Sequence, residues 1–342
     1  MPVSSITLNR ILTEVAKKEA SALHLFIGGA PTMRVNGKLE ALRGENIVSI
    51  DLLKEILNSV LNEEERKQLK QNKEICVVKN FEDLRFKVKV FYQKGFPSLT
   101  LNYINRDFFS TEELRLPEKL VEITRMRSGL LLITGTNGSG KTTSVSSLIE
   151  NLNQQEKKYI ITIEDPIEYL FINKVSIIEQ RQIGRDLTSC QVGIKHCLEE
   201  DVDLVYINNI KTNFSENIFQ VLELALGNAL VILEINSDNC AGAIEKILSI
   251  TKTEEARRSL ANRLAKALLG CLAQRMIPGR IGKPVIAFEF LIVNSSVQSF
   301  IKGGNTYQIE NVIQTSKKEG MVSMEKSIEH LLETEQIRRE DI

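Results

Sequence analysis

Gly129-Leu130-Leu131-Leu132-Ile133-Thr134-Gly135-Thr136-Asn137-Gly138-Ser139-Gly140-Lys141-Thr142-Thr143 is the stretch that decides the fold. Its opening run, Gly129 to Thr134, is almost continuously apolar, as expected of a strand covered on both faces of a parallel sheet. Gly135 to Thr142 then carries the spacing G-x-x-x-x-G-K-[ST], a specific signal when it directly follows a buried strand. Glycines let successive backbone N–H groups turn toward one anion, and the helix that follows, expected over Ser144 to Asn151, adds its positive N-terminal end. The expected nucleotide-binding residues are Gly135, Thr136, Asn137, Gly138, Ser139, Gly140, Lys141, Thr142 and Thr143. In such a loop the lysine meets the β- and γ-phosphates and the Thr142 hydroxyl ligates the metal, so ATP and Mg2+ are the expected ligands.

Downstream, apolar segments alternate with helical ones: Tyr159 to Ile163, Val205 to Ile207, and Ala229 to Leu233. That alternation predicts an α/β layer architecture around the nucleotide-binding strand. After about Lys252 the chain reads as mostly helical, with one strand-like stretch at Val285 to Phe290. Upstream, a helix is expected over Ile6 to Ala20, a short strand over Leu23 to Ile27, and a hairpin over Met33 to Leu39 turning at Asn36-Gly37. A helix pair over Asp51 to Gln71 and strands over Arg85 to Phe91 and Ser98 to Ile104 complete an α+β N-terminal domain. The expected organisation is an N-terminal domain over 1–105, a polar linker over 106–118, and the nucleotide-binding core over 119–342.

Bulk properties narrow the function classes. A chain of 342 residues exceeds one ordinary domain. Lys plus Arg and Asp plus Glu both number 44, and this balance gives no support to a nucleic-acid binder. Cys76, Cys190, Cys197, Cys240 and Cys271 form no C-x-x-C pair, and His24, His196 and His330 lie far apart, so neither a disulfide framework nor a structural zinc site is expected. Cys190 and Cys197 are expected to be buried structural residues. With no apolar signal segment and no run long enough to span a bilayer, a cytoplasmic location is expected.

Beyond the phosphate loop, the chain resembles the PilT-like, pilus-retraction branch of the type II secretion and type IV pilus ATPase family over nearly its whole length. Ala20 to Leu25 and Pro31 to Gly37 are similar to the opening of that family's N-terminal domain, with Ala22 where the family usually has Asp. Ile161-Thr162-Ile163-Glu164-Asp165-Pro166-Ile167-Glu168 resembles its Asp box, and Gln180 to Asp186 with Ser189 resembles the loop after it. Tyr307-Gln308-Ile309, Ile313-Gln314-Thr315 and Gly320-Met321 resemble the C-terminal part of retraction motors. The resemblance implies a PAS-like N-terminal domain joined to a RecA-like P-loop core, assembled as a cytoplasmic hexameric ring. Such a ring works beside an inner-membrane pilus or secretion platform protein. It also implies a catalytic role for Glu164 in polarising the attacking water. Glu168 reads equally as the partner of a loop cation or as a contact to the nucleotide.

Departures from the family pattern fall on the hydrolytic apparatus. Where the family has Gly-Glu-x-Arg-Asp, this chain has Asn208-Asn209-Ile210-Lys211-Thr212, preceded by Leu198 to Asp203. The family's Gly-His becomes Gly227-Asn228, and its second histidine position falls at Ile235. A trans-acting arginine becomes Asn102, although Arg85 and Lys87 keep charge on the preceding strand. The Ala-Ile-Arg stretch of retraction motors reads Ser296-Val297-Gln298. Loss of one trans-acting arginine alone costs such sites about a thousandfold or more in turnover. The expectation is an ATP-binding subunit with weak or lost hydrolysis, in a homo-hexamer or a mixed ring with an active paralogue. The alternative is an active PilT-like ATPase, in which Asp203 or a water held by Asn209 would keep the metal in place. A small-molecule P-loop kinase would need an acceptor-binding lid, and nothing in the sequence resembles one.

Overall fold

Leu8, Ile11, Leu12 and Val15 recur at helical spacing, and Val3–Lys17 forms helix α1 with those four side chains buried. Then follow β1 (Ala22–Leu25), β2 (Thr32–Val35), β3 (Lys38–Ala41), α2 (Ile50–Val60), α3 (Glu63–Asn72), β4 (Glu74–Phe81), β5 (Leu84–Gln93) and β6 (Phe96–Ile104). The strands form one sheet in the order β3-β2-β1-β6-β5-β4, antiparallel throughout. Asn36 and Gly37 turn the β2–β3 hairpin with φ of 51° and 78°, the left-handed geometry Asn-Gly favours. One sheet face buries Phe86, Val88, Leu99 and Leu101 against α1 and α2. Strand β4 was not anticipated, because Ile75-Cys76-Val77-Val78 is a short apolar run without period-two alternation, bracketed by charges.

The computed structural model describes residues 3–42, 44–208, 210, 212–280, 282 and 284–342. They divide into two compact units: the chain up to Asp107 with Pro278–Pro284, and Phe108–Ile277 with Val285–Ile342. In the segment expected as linker, Phe108 stacks on Phe171 with ring centres 4.9 Å apart.

The second unit runs α4 (Glu118–Ile123), β7 (Gly129–Gly135), α5 (Lys141–Gln155), β8 (Tyr159–Glu164), β9 (Ile177–Gln182), α6 (Cys190–Glu199), β10 (Leu204–Ile207), α7 (Phe214–Leu226), β11 (Leu230–Ile235), α8 (Cys240–Leu248), α9 (Glu254–Ala267), β12 (Leu268–Ile277), β13 (Val285–Ile292), α10 (Ser295–Gly303), α11 (Ile309–Thr315) and α12 (Met324–Glu333). Its sheet is ordered β13-β12-β7-β11-β10-β8-β9 and is parallel except for β13. This is the expected mixed α/β arrangement, with the phosphate-loop strand β7 central. Leu130, Leu132, Val205 and Val231 point to one face, packed with residues of α7, α8 and α9. Leu131, Ile133, Ile160, Tyr206 and Ile232 point to the other, against Val145, Leu148 and Leu152 of α5. Fully burying each such aliphatic chain contributes about 1.5–3 kcal/mol, which is why the central strands read as apolar runs.

The stretch after Lys252 is corrected by β12, a ten-residue strand lying directly beside β7. Leu260, Leu264, Leu268 and Leu272 keep a four-residue spacing across the α9–β12 junction, so periodicity carried the helix reading into the strand. Cys190 and Cys197 are buried, and burial pushes both thiols up to about 12. No helix among the described residues is long and apolar enough to cross a membrane.

Candidate functional site

In a parallel sheet, ligands bind outside the carboxyl ends of the strands. Here the ends of β7, β11, β10 and β8 lie side by side, with Thr134 opposite Ile235, Leu233 opposite Ile207, and Ile207 opposite Ile163. The loop from Gly135 to Gly140 leaves β7 at that edge, and α5 begins at Lys141. Gly135 has φ of 140°, and a Cβ there would lie 2.4 Å from both the Gln274 carbonyl and Ser139 Oγ. Gly138 and Gly140 also have positive φ, 81° and 90°. Only glycine adopts all three conformations without strain.

Lys141 is nearly buried, and its ammonium donates to the carbonyls of Gly135 and Thr136, both at 2.9 Å. The loop's own backbone thus holds the cation at the helix N-terminus. Ser139 Oγ is buried within the same loop and has no hydrogen-bond partner. Thr143 Oγ1 lies 3.2 Å from the Tyr169 hydroxyl, which links the first turn of α5 to the loop after β8.

Glu164, the last residue of β8, is 2% exposed. Thr162, two residues earlier on the same strand face, donates its hydroxyl to Oε1 at 2.7 Å, and Gln180 Nε2 donates at 3.1 Å. Gln180 is itself held by the Tyr169 carbonyl and the Phe171 amide, both at 2.9 Å. Burial outweighs these hydrogen bonds and raises the carboxyl to about 7, with the charges of Glu168 and Glu234 acting in the same direction.

A second carboxylate lies on the same sheet face. Glu234 of β11 is buried and accepts a hydrogen bond from the Tyr206 hydroxyl, with Lys141 and Thr142 favouring its ionised form. Burial nevertheless raises its carboxyl above the ordinary range, and raises the Tyr206 phenol far more. The sequence reading missed Tyr169, Tyr206 and Glu234. The available signal was one carboxylate inside the otherwise apolar run Leu230-Val231-Ile232-Leu233-Glu234-Ile235.

Several anticipated residues stand elsewhere. Asp203 sits at the amino end of β10, where its carboxylate accepts from the Tyr159 amide at 2.8 Å and caps the start of β8. It is therefore removed from the metal role considered for it. Asn228 precedes β11 at the same far edge, so only Ile235 of the two histidine positions reaches the nucleotide end, and it is buried. Asn208 is buried at the end of β10, and its amide oxygen accepts from the Asp165 amide at 2.8 Å, tying β10 to the loop after β8. Glu168 lies half-buried in that loop. In the N-terminal unit, Asn102 donates to the Ser21 carbonyl at 2.9 Å. Ser296, Val297 and Gln298 lie on α10, with Val297 fully buried. Asn209 lies outside the described residues.

These residues suit a nucleotide phosphate chain. Three positive-φ glycines clear the cradle of side chains, Lys141 supplies charge, and the orphaned Ser139 hydroxyl supplies a further polar group. Thr142 and Glu234, a hydroxyl and a carboxylate whose ionised form it favours, are an oxygen donor pair suited to a hard divalent cation.

Comparison with known proteins agrees with this arrangement. The family model for type II/IV secretion system proteins matches residues 2–334. The Escherichia coli (strain K12) protein YggR is 29% identical over 326 residues, covering 95% of this chain and 98% of that protein. The type IV pilus ATPase PilU of Pseudomonas aeruginosa is 26% identical, over 97% of this chain and 86% of its own. The crystal structure of the pilus retraction motor PilT with bound ADP superposes with a TM-score of 0.80 at 29% identity, covering 97% of this chain and 95% of that one. The chain belongs to the type II/IV secretion system protein family.

Proposed function

We propose that this member of the family is an ATP-binding, ring-forming subunit of a type IV pilus retraction or secretion motor, with weak or lost hydrolysis. Similarity to PilU and to the ADP-bound PilT structure supports the nucleotide and the pilus setting. In this reading the backbone N–H groups of Gly135 to Thr143 hold the β- and γ-phosphates, and Lys141 neutralises their charge. Mg2+, held beside Thr142, would screen the phosphoryl oxygens.

Weak hydrolysis rests on the metal side, where Asn208 at the end of β10 is buried and its amide oxygen is engaged by the Asp165 backbone, and it is consistent with the state of Glu164. Its carboxyl is buried, engaged by Thr162 and Gln180, and raised to about 7, so a large share carries a proton at neutral pH. A protonated acid cannot take a proton from water. Phosphoryl transfer also needs positive charge on the transferred group, and the sequence has Asn102 where the family resemblance implies an arginine. The position of Glu164 at the end of β8 favours one second reading, an active ATPase in which bound nucleotide and metal ionise this carboxyl and let it serve as the base. Assembly as a homo-hexamer or a mixed ring with an active paralogue, contact with an inner-membrane platform, and peripheral membrane association belong to this proposal.

The test is steady-state phosphate release with Mg2+ and ATP, beside Lys141→Ala and an equilibrium nucleotide-binding assay. Nucleotide binding that Lys141→Ala abolishes, with release at the level of that variant, is the expected result. Release well above that variant restores the working motor.

A further inference from the structure

Mg2+ in P-loop enzymes is held by the loop's Ser or Thr together with an acidic residue from a neighbouring strand. Here the segment that would carry that acid by resemblance reads Asn208-Asn209, and the Asn208 amide is engaged with the Asp165 backbone instead. One strand nearer the P-loop, in the sheet order β7-β11-β10, stands Glu234. Glu234 lies opposite Ile133 in the β7–β11 register, two residues before the loop and on the sheet face that α5 covers, and Thr142 favours its ionised form, so the loop's metal-side oxygen and a buried acid share one edge of the sheet.

We propose that Glu234 supplies the metal-side carboxylate of this site, so that β11 provides, next to Thr142, the acid that β10 lacks. The proposal rests on the nucleotide-binding reading above. A carboxylate in a fully buried strand is costly unless its oxygens are engaged, and a purely structural Glu234 would be expected to satisfy itself within the protein. Among the described residues its hydrogen-bond donor is the Tyr206 hydroxyl. A carboxyl group gives up its proton when it ligates a metal, and an ionised carboxylate has about four acceptor positions, so most of its capacity remains for a cation or the cation's water. Tyr206 has a single proton and fixes one oxygen; Lys141, which donates to the Gly135 and Thr136 carbonyls, favours the carboxylate's charge. Independently, the buried Ser139 hydroxyl in the same loop is unpartnered, so the site holds an unmet polar group besides the acid.

The experiment measures a fluorescent ADP analogue by anisotropy, first in EDTA and then against Mg2+, with Mn2+ binding counted by electron paramagnetic resonance in the nucleotide-loaded protein. Glu234→Gln is expected to weaken apparent metal affinity by about 10- to 100-fold while leaving nucleotide affinity in EDTA near wild type. Wild-type metal affinity in that variant overturns the assignment of Glu234 and leaves nucleotide binding intact. Absence of nucleotide binding by the wild-type chain overturns the reading beneath it. Should Glu234→Gln fail to fold, Fe2+ with ascorbate and peroxide in the wild-type, ADP-loaded protein replaces it, because such oxidation cuts backbone beside bound metal. Cuts are expected at both the P-loop and the end of β11; cuts at the P-loop alone overturn the proposal.

Discussion

Thr162 donates its hydroxyl to Glu164, 2.7 Å away on the same face of β8, and this bond does not offset the burial of the acid. Glu164 is raised from 4.5 to about 7, so the folded chain holds a proton that the unfolded chain releases over that interval. Stability from this group is present at low pH and falls as pH rises through the interval, levelling above about 7. Between about pH 5.5 and about pH 8 the loss is about 2 kcal/mol. Denaturant unfolding of wild type and Glu164→Gln at both pH values should show that slope in the wild type and about 2 kcal/mol less of it in the variant. Equal slopes would mean the carboxyl titrates normally.

Gly135 and Gly138 both have positive φ, yet their surroundings differ. A Cβ at Gly135 meets the Gln274 carbonyl at 2.4 Å, whereas nothing lies within 4 Å of one at Gly138. Gly138→Ala should cost about 1–2 kcal/mol of backbone strain alone. Gly135→Ala adds a clash that only a backbone shift relieves, so it should cost more and should abolish nucleotide binding. Thermal unfolding and the anisotropy assay read both effects, and similar outcomes for the two variants would contradict the loop geometry.

Tyr206 and Glu234 are buried partners, and stranding either should cost about 1–3 kcal/mol. Tyr206→Phe and Glu234→Leu should each destabilise, while the double variant should be less destabilised than the two losses added. A double-mutant cycle by urea unfolding measures the coupling, expected at about 1–3 kcal/mol; a coupling near zero would show that the pair does not act as a unit.

Asp203 caps the first amide of β8 from an exposed position. Asp203→Ala should lower stability by about 1 kcal/mol and leave nucleotide and Mg2+ affinity unchanged. A drop in metal affinity would return Asp203 to the metal site.

The phosphate cradle was legible in the sequence because its parts are local. A buried strand, three glycines, Lys141 and Thr142 are consecutive along Gly129 to Thr142, and short-range backbone preferences dictate their geometry. The N-terminal hairpin at Asn36-Gly37 belongs to the same class. Glu164 was singled out only through the resemblance of Ile161 to Glu168 to a family box; strand alternation then places Thr162, two positions before it, on the same face.

What only the tertiary structure decided depends on strand order and strand polarity, neither of which is written in local spacing. Glu234 lies far along the chain from Thr142, and they meet because β11 inserts beside β7, a neighbour chosen by packing of the whole sheet. Asp203 and Asn208 are only five residues apart, but they bracket β10 and so lie at opposite edges of the sheet, which takes Asp203 away from the metal role the sequence allowed it. The sequence by itself determined a glycine-rich loop behind a buried strand, with Lys141 and Thr142 at the start of the next helix. The fold decided which carboxylates stand beside them, because a parallel sheet collects the carboxyl ends of strands that are remote in sequence.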